Sequence, residues 1–166
     1  MENNAVGSQQ QILFDYTTQS FEEIIAEVTG AEASSVEEFK VSSKDVLSVI
    51  VGVTGQINGR ILLNTSLETA TKLAEAMNFG DPLENKDDLF IYLSEFGNMY
   101  CGRMVTHIND KFGSRQVWIT PPAIFSASDL EVISPHILTT KKYYESEVGQ
   151  LIVDVGYSDG SGFDDF

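Results

Sequence analysis

The stretch from Asp87 to Phe112 carries the longest regular pattern in the chain. Its large apolar residues recur every three or four positions, which is the spacing of one face of an α-helix: Leu89, Leu93, Phe96, Tyr100, Met104 and Ile108. Phe90, Cys101 and Val105 widen this face. We therefore expect the longest helix of the fold over residues 87–112, with one side in a hydrophobic core.

Other stretches give weaker signals of secondary structure. Residues 11–28 have apolar side chains at helical spacing, although Ser20 and Glu23 have the spacing of a capping box and allow a later start. A shorter helix is predicted to begin at Thr65, three residues before Glu68, and to end at Gly80. Alternating or β-branched runs predict strands over residues 38–42, 45–53, 56–64, 116–120, 137–146 and 148–155.

This order of elements predicts an α+β fold, because short links between strands favour antiparallel pairing. We expect an antiparallel sheet of about six strands with two long helices packed on one face. The two halves resemble loose copies of each other, each a helix followed by strands. A single domain over residues 11–156 is expected between a flexible, polar N-terminus at 1–10 and a flexible, acidic tail at 157–166.

The charge balance excludes several classes of partner. Lys and Arg total 10 and Asp and Glu total 25, so the net charge is −15 at pH 7. Nucleic acids and anionic membranes both attract basic surfaces, and neither is an expected partner. Cys101 is the single cysteine, so an internal disulfide is impossible. Without an apolar signal segment or a run of membrane-spanning length, the chain is expected to be cytoplasmic.

One set of polar residues stands apart on the long helix. Glu95, Asn98 and Gly102 follow each other at intervals of three and four residues, so they share one helix face. Glu95 lies about 140° around the axis from Tyr100, so the carboxylate and the amide are expected to reach solvent together. Gly97 and Gly102 each cost about 1 kcal/mol of helix propensity, which suggests that something approaches this backbone closely. The alternative interpretation is a solvated Glu and Asn, with the glycines accommodating a neighbouring helix.

The other reactive side chains suggest no site. His107 and His136 are far apart in the sequence and have no companion metal-binding motif, so no metal site is predicted. Cys101 is expected to be a small core residue. Trp118, in the strand-like run 116–120, is also expected to face the core.

These residues resemble the CheC/CheX/FliY family of chemotaxis proteins, phosphatases of the phospho-aspartate in response-regulator receiver domains. The family motif is Glu-x-x-Asn on a long helix followed by a proline, which here reads Glu95-Phe96-Gly97-Asn98 with Pro121 beside Pro122. Residues 55–63 and the helix after them also resemble the family's passage from strand to helix. The chain is most similar to the single-site CheX type, because the acids of its first helix lack an asparagine three residues later.

The resemblance implies a function and a set of site residues. Asn98 would orient the attacking water, and Glu95 would pair with the lysine of the receiver. Ser94, Gly102 and Pro121 would complete the binding surface. The partner would be a phosphorylated CheY-like receiver that holds its own Mg²⁺, with no cofactor in this chain, and the family implies a homodimer joined through the sheets.

Ile91 departs from the family pattern, which often has Asp or Ser four residues before the glutamate. This departure keeps a second interpretation open. The chain would then be an adaptor that binds a receiver or the flagellar switch without hydrolysing anything.

Overall fold

The structure, a computed structural model, describes residues 2–41, 44–113, 116–128 and 137–158. The three helices of these residues are α1 (Glu2–Thr29), α2 (Leu67–Met77) and α3 (Lys86–Phe112). The strands are β1 (Ser34–Val36), β2 (Asp45–Gly55), β3 (Gly59–Ser66), β4 (Val117–Ile119), β5 (Ala123–Ser128), β6 (Ile137–Ser146) and β7 (Gly149–Ser158).

All of the described strands form one antiparallel sheet. Its order is β1-β6-β7-β3-β2-β4, and β5 also pairs with β2, over Asp45–Ile50, whereas β4 pairs with Val53–Gly55. Strands cross between the two halves of the chain. One strand after α1, β1, pairs with β6, and two strands after α3, β4 and β5, pair with β2. The predicted α+β class and antiparallel sheet are confirmed, with seven strands in the described residues rather than about six.

The helices bury one face of this sheet. Alternate residues of the three central strands belong to the same core as the apolar sides of the helices: Leu47, Val49, Val51, Val53, Ile61, Leu63, Leu151, Val153 and Val155. No helix in the described part of the chain is long and apolar enough to cross a membrane.

Several predicted boundaries are wrong. Of the strand expected at 38–42, the described residues 38–41 are not in a strand, and β1 lies at Ser34–Val36 instead. Residue 42 lies outside the described residues. Phe39 packs edge-to-face on Tyr143 from this non-strand segment. Helix α1 already begins at Glu2, and the N-cap of α2 is Ser66 rather than Thr65. Strand β5 was not predicted. Strand β7 continues to Ser158, and residues 159–166 of the predicted tail lie outside the described residues.

Helix α3 is the predicted long helix, and its first turn is well capped. The Asp88 N–H donates to Asn85 Oδ1 at 3.1 Å, and the Asn85 N–H donates to Asp88 Oδ2 at 3.2 Å. This reciprocal pair satisfies backbone donors that the helix cannot satisfy itself. All six apolar residues of the predicted stripe are buried, so this prediction is confirmed. The C-cap residue after Phe112 is Gly113, whose φ of 101° favours glycine.

An aromatic cluster holds α3 against α1. The Phe21 ring meets Phe96 at a centroid distance of 6.0 Å and Tyr100 at 5.7 Å, both edge-to-face. Phe21 also lies 4.8 Å from Tyr144 of β6. Edge-to-face pairs add to the energy of burial, so the cluster fixes both long helices on the sheet.

Candidate functional site

Glu95 and Asn98 lie side by side on the solvent face of α3. Both side chains are exposed, as predicted. Residues three apart on a helix are separated by about 60° around the axis and about 4.5 Å along it. Within the described residues, neither side chain makes a hydrogen bond or ion pair, so both polar groups face outward.

Gly97 lies on the opposite side of the helix and is buried against the sheet. A Cβ atom at this position would lie 3.1 Å from Val49 Cγ1 and 3.5 Å from Pro122 Cγ. A Cβ contact of 3.1 Å is tighter than almost all real ones, so the neighbour would have to move. The close approach predicted from the glycines is therefore confirmed at Gly97, where it is made by β2 and Pro122.

Gly102 has a different environment. No atom of the described residues lies within 4 Å of the place where its Cβ would be, apart from the helix's own backbone and chain neighbours. No close approach within the described chain therefore accounts for this glycine. The helix backbone at Gly102 is left open beside Asn98.

The other predicted site residues take different places. Ser94 is half-buried on α3. Pro121 is exposed between β4 and β5. The next residue, Pro122, lies near Gly97 of α3. Thr120 holds this junction on β2, because its N–H donates to Gly52 O and the Gly52 N–H donates to Thr120 Oγ1, both at 2.9 Å. The role of each of these residues stays a prediction.

Ile91, one turn before Glu95, is 63% exposed. An apolar side chain thus occupies the position at which the resemblance led us to expect Asp or Ser. It extends the exposed face of α3 toward the N-terminus of the helix.

Three acids of α1, Glu22, Glu23 and Glu27, form ion pairs with α3 and β6. Arg103 forms two hydrogen bonds with Glu27, at 2.6 and 3.1 Å, and Glu23 lies 3.2 Å from His107 Nε2. Partial burial opposes the ionised form of Glu23, but hydrogen bonds from Gln19 and His107 and the charge of Arg103 lower its pKa overall. These pairs fix α1 beside α3.

Glu22 makes a further contact of this kind. Lys142 Nζ and the Tyr144 hydroxyl both donate to its Oε1, at 2.7 and 2.8 Å. The acids at 22, 23 and 27 therefore serve packing, in contrast to Glu95. These contacts were not predicted from the sequence. The sequence pattern that could have predicted the ion pairs between α1 and α3 is a shared four-residue spacing. Glu23 and Glu27 have this spacing on α1, and Arg103 and His107 have it on α3.

Two other sequence-based predictions have clear outcomes. Cys101 is buried, as predicted, and burial raises the pKa of its thiol. Trp118 was predicted to face the core, but it is 52% exposed. Val117 takes the buried position of β4, so the alternation of the strand turns Trp118 outward, opposite Thr54.

No group of three or more potential metal ligands was found among the residues that the structure describes, a range that excludes His136.

The family model and a curated relative point to the same family. Residues 47–143, which include the helix of Glu95 and Asn98, match the family model described as chemotaxis phosphatase CheX. The chain is 32% identical to the CheY-P phosphatase CheX of Thermotoga maritima over 116 residues, covering 68% of this chain and 74% of the relative.

Solved structures share the fold. A chemotaxis protein CheX from Desulfovibrio desulfuricans aligns with a TM-score of 0.73 and 14% identity over 88% of this chain and 99% of its own. A CheX–CheY–BeF3–Mg²⁺ complex from Borrelia burgdorferi aligns with a TM-score of 0.70 and 20% identity over 87% of this chain and 97% of its own. These likenesses show a shared fold. The match of the family model over more than half of the chain and the identity to the Thermotoga relative show that the chain belongs to the CheX family of chemotaxis phosphatases.

Proposed function

We propose that this protein hydrolyses the phospho-aspartate of a CheY-like receiver domain, using Glu95 and Asn98. The observation that carries the proposal is the pairing of an exposed carboxylate and an exposed carboxamide on one open helix face, with no partner among the described residues. The activity named for the Thermotoga relative, a CheY-P phosphatase, supports the same reaction here.

The chemistry of an acyl phosphate explains why an amide suffices. The carboxylate of the receiver is a good leaving group. The main task left to this protein is therefore to hold a water molecule in line with the scissile bond. The Asn98 amide accepts a hydrogen bond from this water through Oδ1 and can donate to a phosphoryl oxygen through Nδ2, without changing its protonation state. A loose transition state needs little early removal of the water's proton, so a general base is not required.

Glu95 is assigned a different task. Its carboxylate would pair with the lysine of the receiver, at an interface from which solvent is excluded. Such a pair fixes register and adds attraction. Because Glu95 lies one turn from Asn98, the pairing would place the amide at the phosphoryl group.

The remaining surface has supporting roles. The partner receiver would supply Mg²⁺, which neutralises the phosphoryl oxygens, as the Mg²⁺ of the Borrelia CheX–CheY complex suggests. The open backbone at Gly102 would allow close approach of the receiver. Ser94 and Pro121 would border the contact.

A homodimer joined through sheet edges also belongs to the proposal. Strand β5 pairs with β2 along one side, and its described sequence Ala-Ile-Phe-Ser-Ala-Ser carries no charge. Uncharged edge strands are ready to pair with another chain, so β5 is the edge through which we expect two copies to join.

The test is phosphate release from a phosphorylated CheY-type receiver, measured with and without the protein. We expect the wild type to accelerate release and Glu95→Gln to lose most of this acceleration, because the variant keeps the shape and removes the charge. Asp110→Asn, an equal change of charge at an exposed position of α3, is the matched control and should act like the wild type. Binding of the receiver without any acceleration would instead make the protein an adaptor.

A further inference from the structure

We propose that Phe79 and Ile91 form an apolar anchor that docks the receiver beside Glu95 and Asn98. This inference rests on the proposed function, because the receiver is its occupant. It assigns a binding role to two residues outside the Glu-x-x-Asn motif. Ile91 lies on α3, and Phe79 lies in the turn after α2.

Phe79 is presented to solvent in an unusual way. Its side chain is 98% exposed, the highest exposure among the large apolar residues that the structure describes. Its φ is 59°, and every other described residue with positive φ is a glycine. Helices often end in this left-handed conformation, but with glycine or asparagine. A bulky residue here is uncommon, so neither core packing nor backbone geometry accounts for the phenylalanine.

The turn that carries Phe79 is held firmly. The Asn78 amide donates to Asp81 O at 3.1 Å, and its Oδ1 accepts a hydrogen bond from the Tyr92 hydroxyl at 2.7 Å. The Gly80 N–H donates to Glu75 O at 2.8 Å. A fixed backbone lowers the entropy that is lost when an exposed ring enters a partner's pocket.

Tyr92 places this turn beside the proposed site. Tyr92 lies on α3 three residues before Glu95, or about one helical turn. Its neighbour Ile91 is 63% exposed and points from the same broad face as Glu95. Ile91 therefore borders the acid–amide pair on its N-terminal side, and the Asn78–Tyr92 hydrogen bond ties the turn of Phe79 to the same part of α3.

The position of Phe79 and Ile91 favours the receiver as the protein that binds them. A receiver that brings its acyl phosphate to Asn98 must cover the exposed face of α3, which continues within one turn to Ile91. Apolar anchors beside polar contacts are the usual arrangement of binding hot spots. A second copy of this chain is expected to pair with the edge strand β5.

The experiment compares Phe79→Gly and Ile91→Ala with the wild type. Dissociation constants are measured for a receiver activated with BeF3⁻ and Mg²⁺, and KM and kcat for the phosphorylated receiver. We expect each variant to raise Kd and KM by about tenfold and to leave kcat within about twofold. Glycine accepts a positive φ, so Phe79→Gly should unfold at the same or a higher denaturant concentration. Leu138→Ala, which removes another half-exposed side chain from β6, should change none of these values.

Several results would overturn the inference. Unchanged Kd and KM in both variants would do so, and so would a dimer that becomes monomeric in Phe79→Gly, because the ring would then contact another copy. A failure of the proposed catalysis looks different. In that case the wild type binds the activated receiver without hydrolysing the phosphorylated form, and Phe79→Gly still weakens the binding.

Discussion

Replacing Gly97 with alanine tests how closely α3 lies on the sheet beneath the proposed site. Alanine in place of glycine inside a helix contributes about 1 kcal/mol of stability. At Gly97 the new methyl group would lie 3.1 Å from Val49 Cγ1, and Val49 is 1% exposed in the middle of β2. Overpacking a well-filled core costs about 1–3 kcal/mol. The two effects predict a net loss of about 0–2 kcal/mol for Gly97→Ala.

Gly102→Ala is the matched control for this substitution. The helix gains the same propensity of about 1 kcal/mol, but no described atom lies within 4 Å of the new methyl group. This variant should therefore be more stable than the wild type, with a melting temperature about 2–4 °C higher. The difference between the two variants isolates the steric cost at Gly97, which we expect to be about 1–3 kcal/mol.

Urea denaturation followed by circular dichroism measures both variants, and phosphate release from the receiver measures their activity. Gly97→Ala should also reduce kcat, because a helix lifted from the sheet by a few tenths of an ångström moves the neighbouring Asn98. Equal stabilisation by the two substitutions would refute the close contact of α3 with Val49.

Three further predictions follow from the contacts around α3. Asn85→Ala should cost about 1 kcal/mol in urea denaturation by removing the capping box, whereas Asn85→Asp should cost little, since aspartate is an equally good N-cap. The Cys101 thiol, whose pKa is raised by burial, should resist iodoacetamide at pH 8 in the native protein and react once urea unfolds the chain; fast native labelling, detected by mass spectrometry, would contradict its burial. The lowered pKa of Glu23 means that its ionised form stabilises the fold above the ordinary value of 4.5 and that this contribution is lost as the pH falls through the lowered pKa. The unfolding free energies of wild type and Glu23→Gln should therefore differ at neutral pH and converge as the pH falls below the lowered pKa. A difference in unfolding free energy that does not change with pH would show that the ion pairs of Glu23 contribute nothing.

The sequence was most informative where the structure depends on local periodicity. The stripe from Leu89 to Ile108 repeats often enough to identify α3 and the side that it buries. Because helix geometry is fixed, the same repeat placed Glu95 and Asn98 on the solvent face. The matching exposure of both residues in the structure follows from that geometry alone.

Features that depend on distant partners were harder to predict. Strand β5 contains only two large apolar residues, Ile124 and Phe125, and it becomes a strand because β2 offers it a pairing edge. Trp118 points outward because its register with Thr54 is set by the neighbouring strand. In each case the deciding interaction lies far along the chain, where a local pattern carries no signal.

The separation of binding from turnover in Asn98→Ala tests the central claim most directly. The claim is that this amide orients the attacking water rather than holding the receiver. We therefore expect the variant to bind the BeF3⁻-activated receiver within about twofold of the wild-type affinity, while its kcat for the phosphorylated receiver falls about 100- to 1,000-fold, as for other lost transition-state contacts. Turnover at the wild-type rate, or a loss explained entirely by weaker binding, would contradict the account.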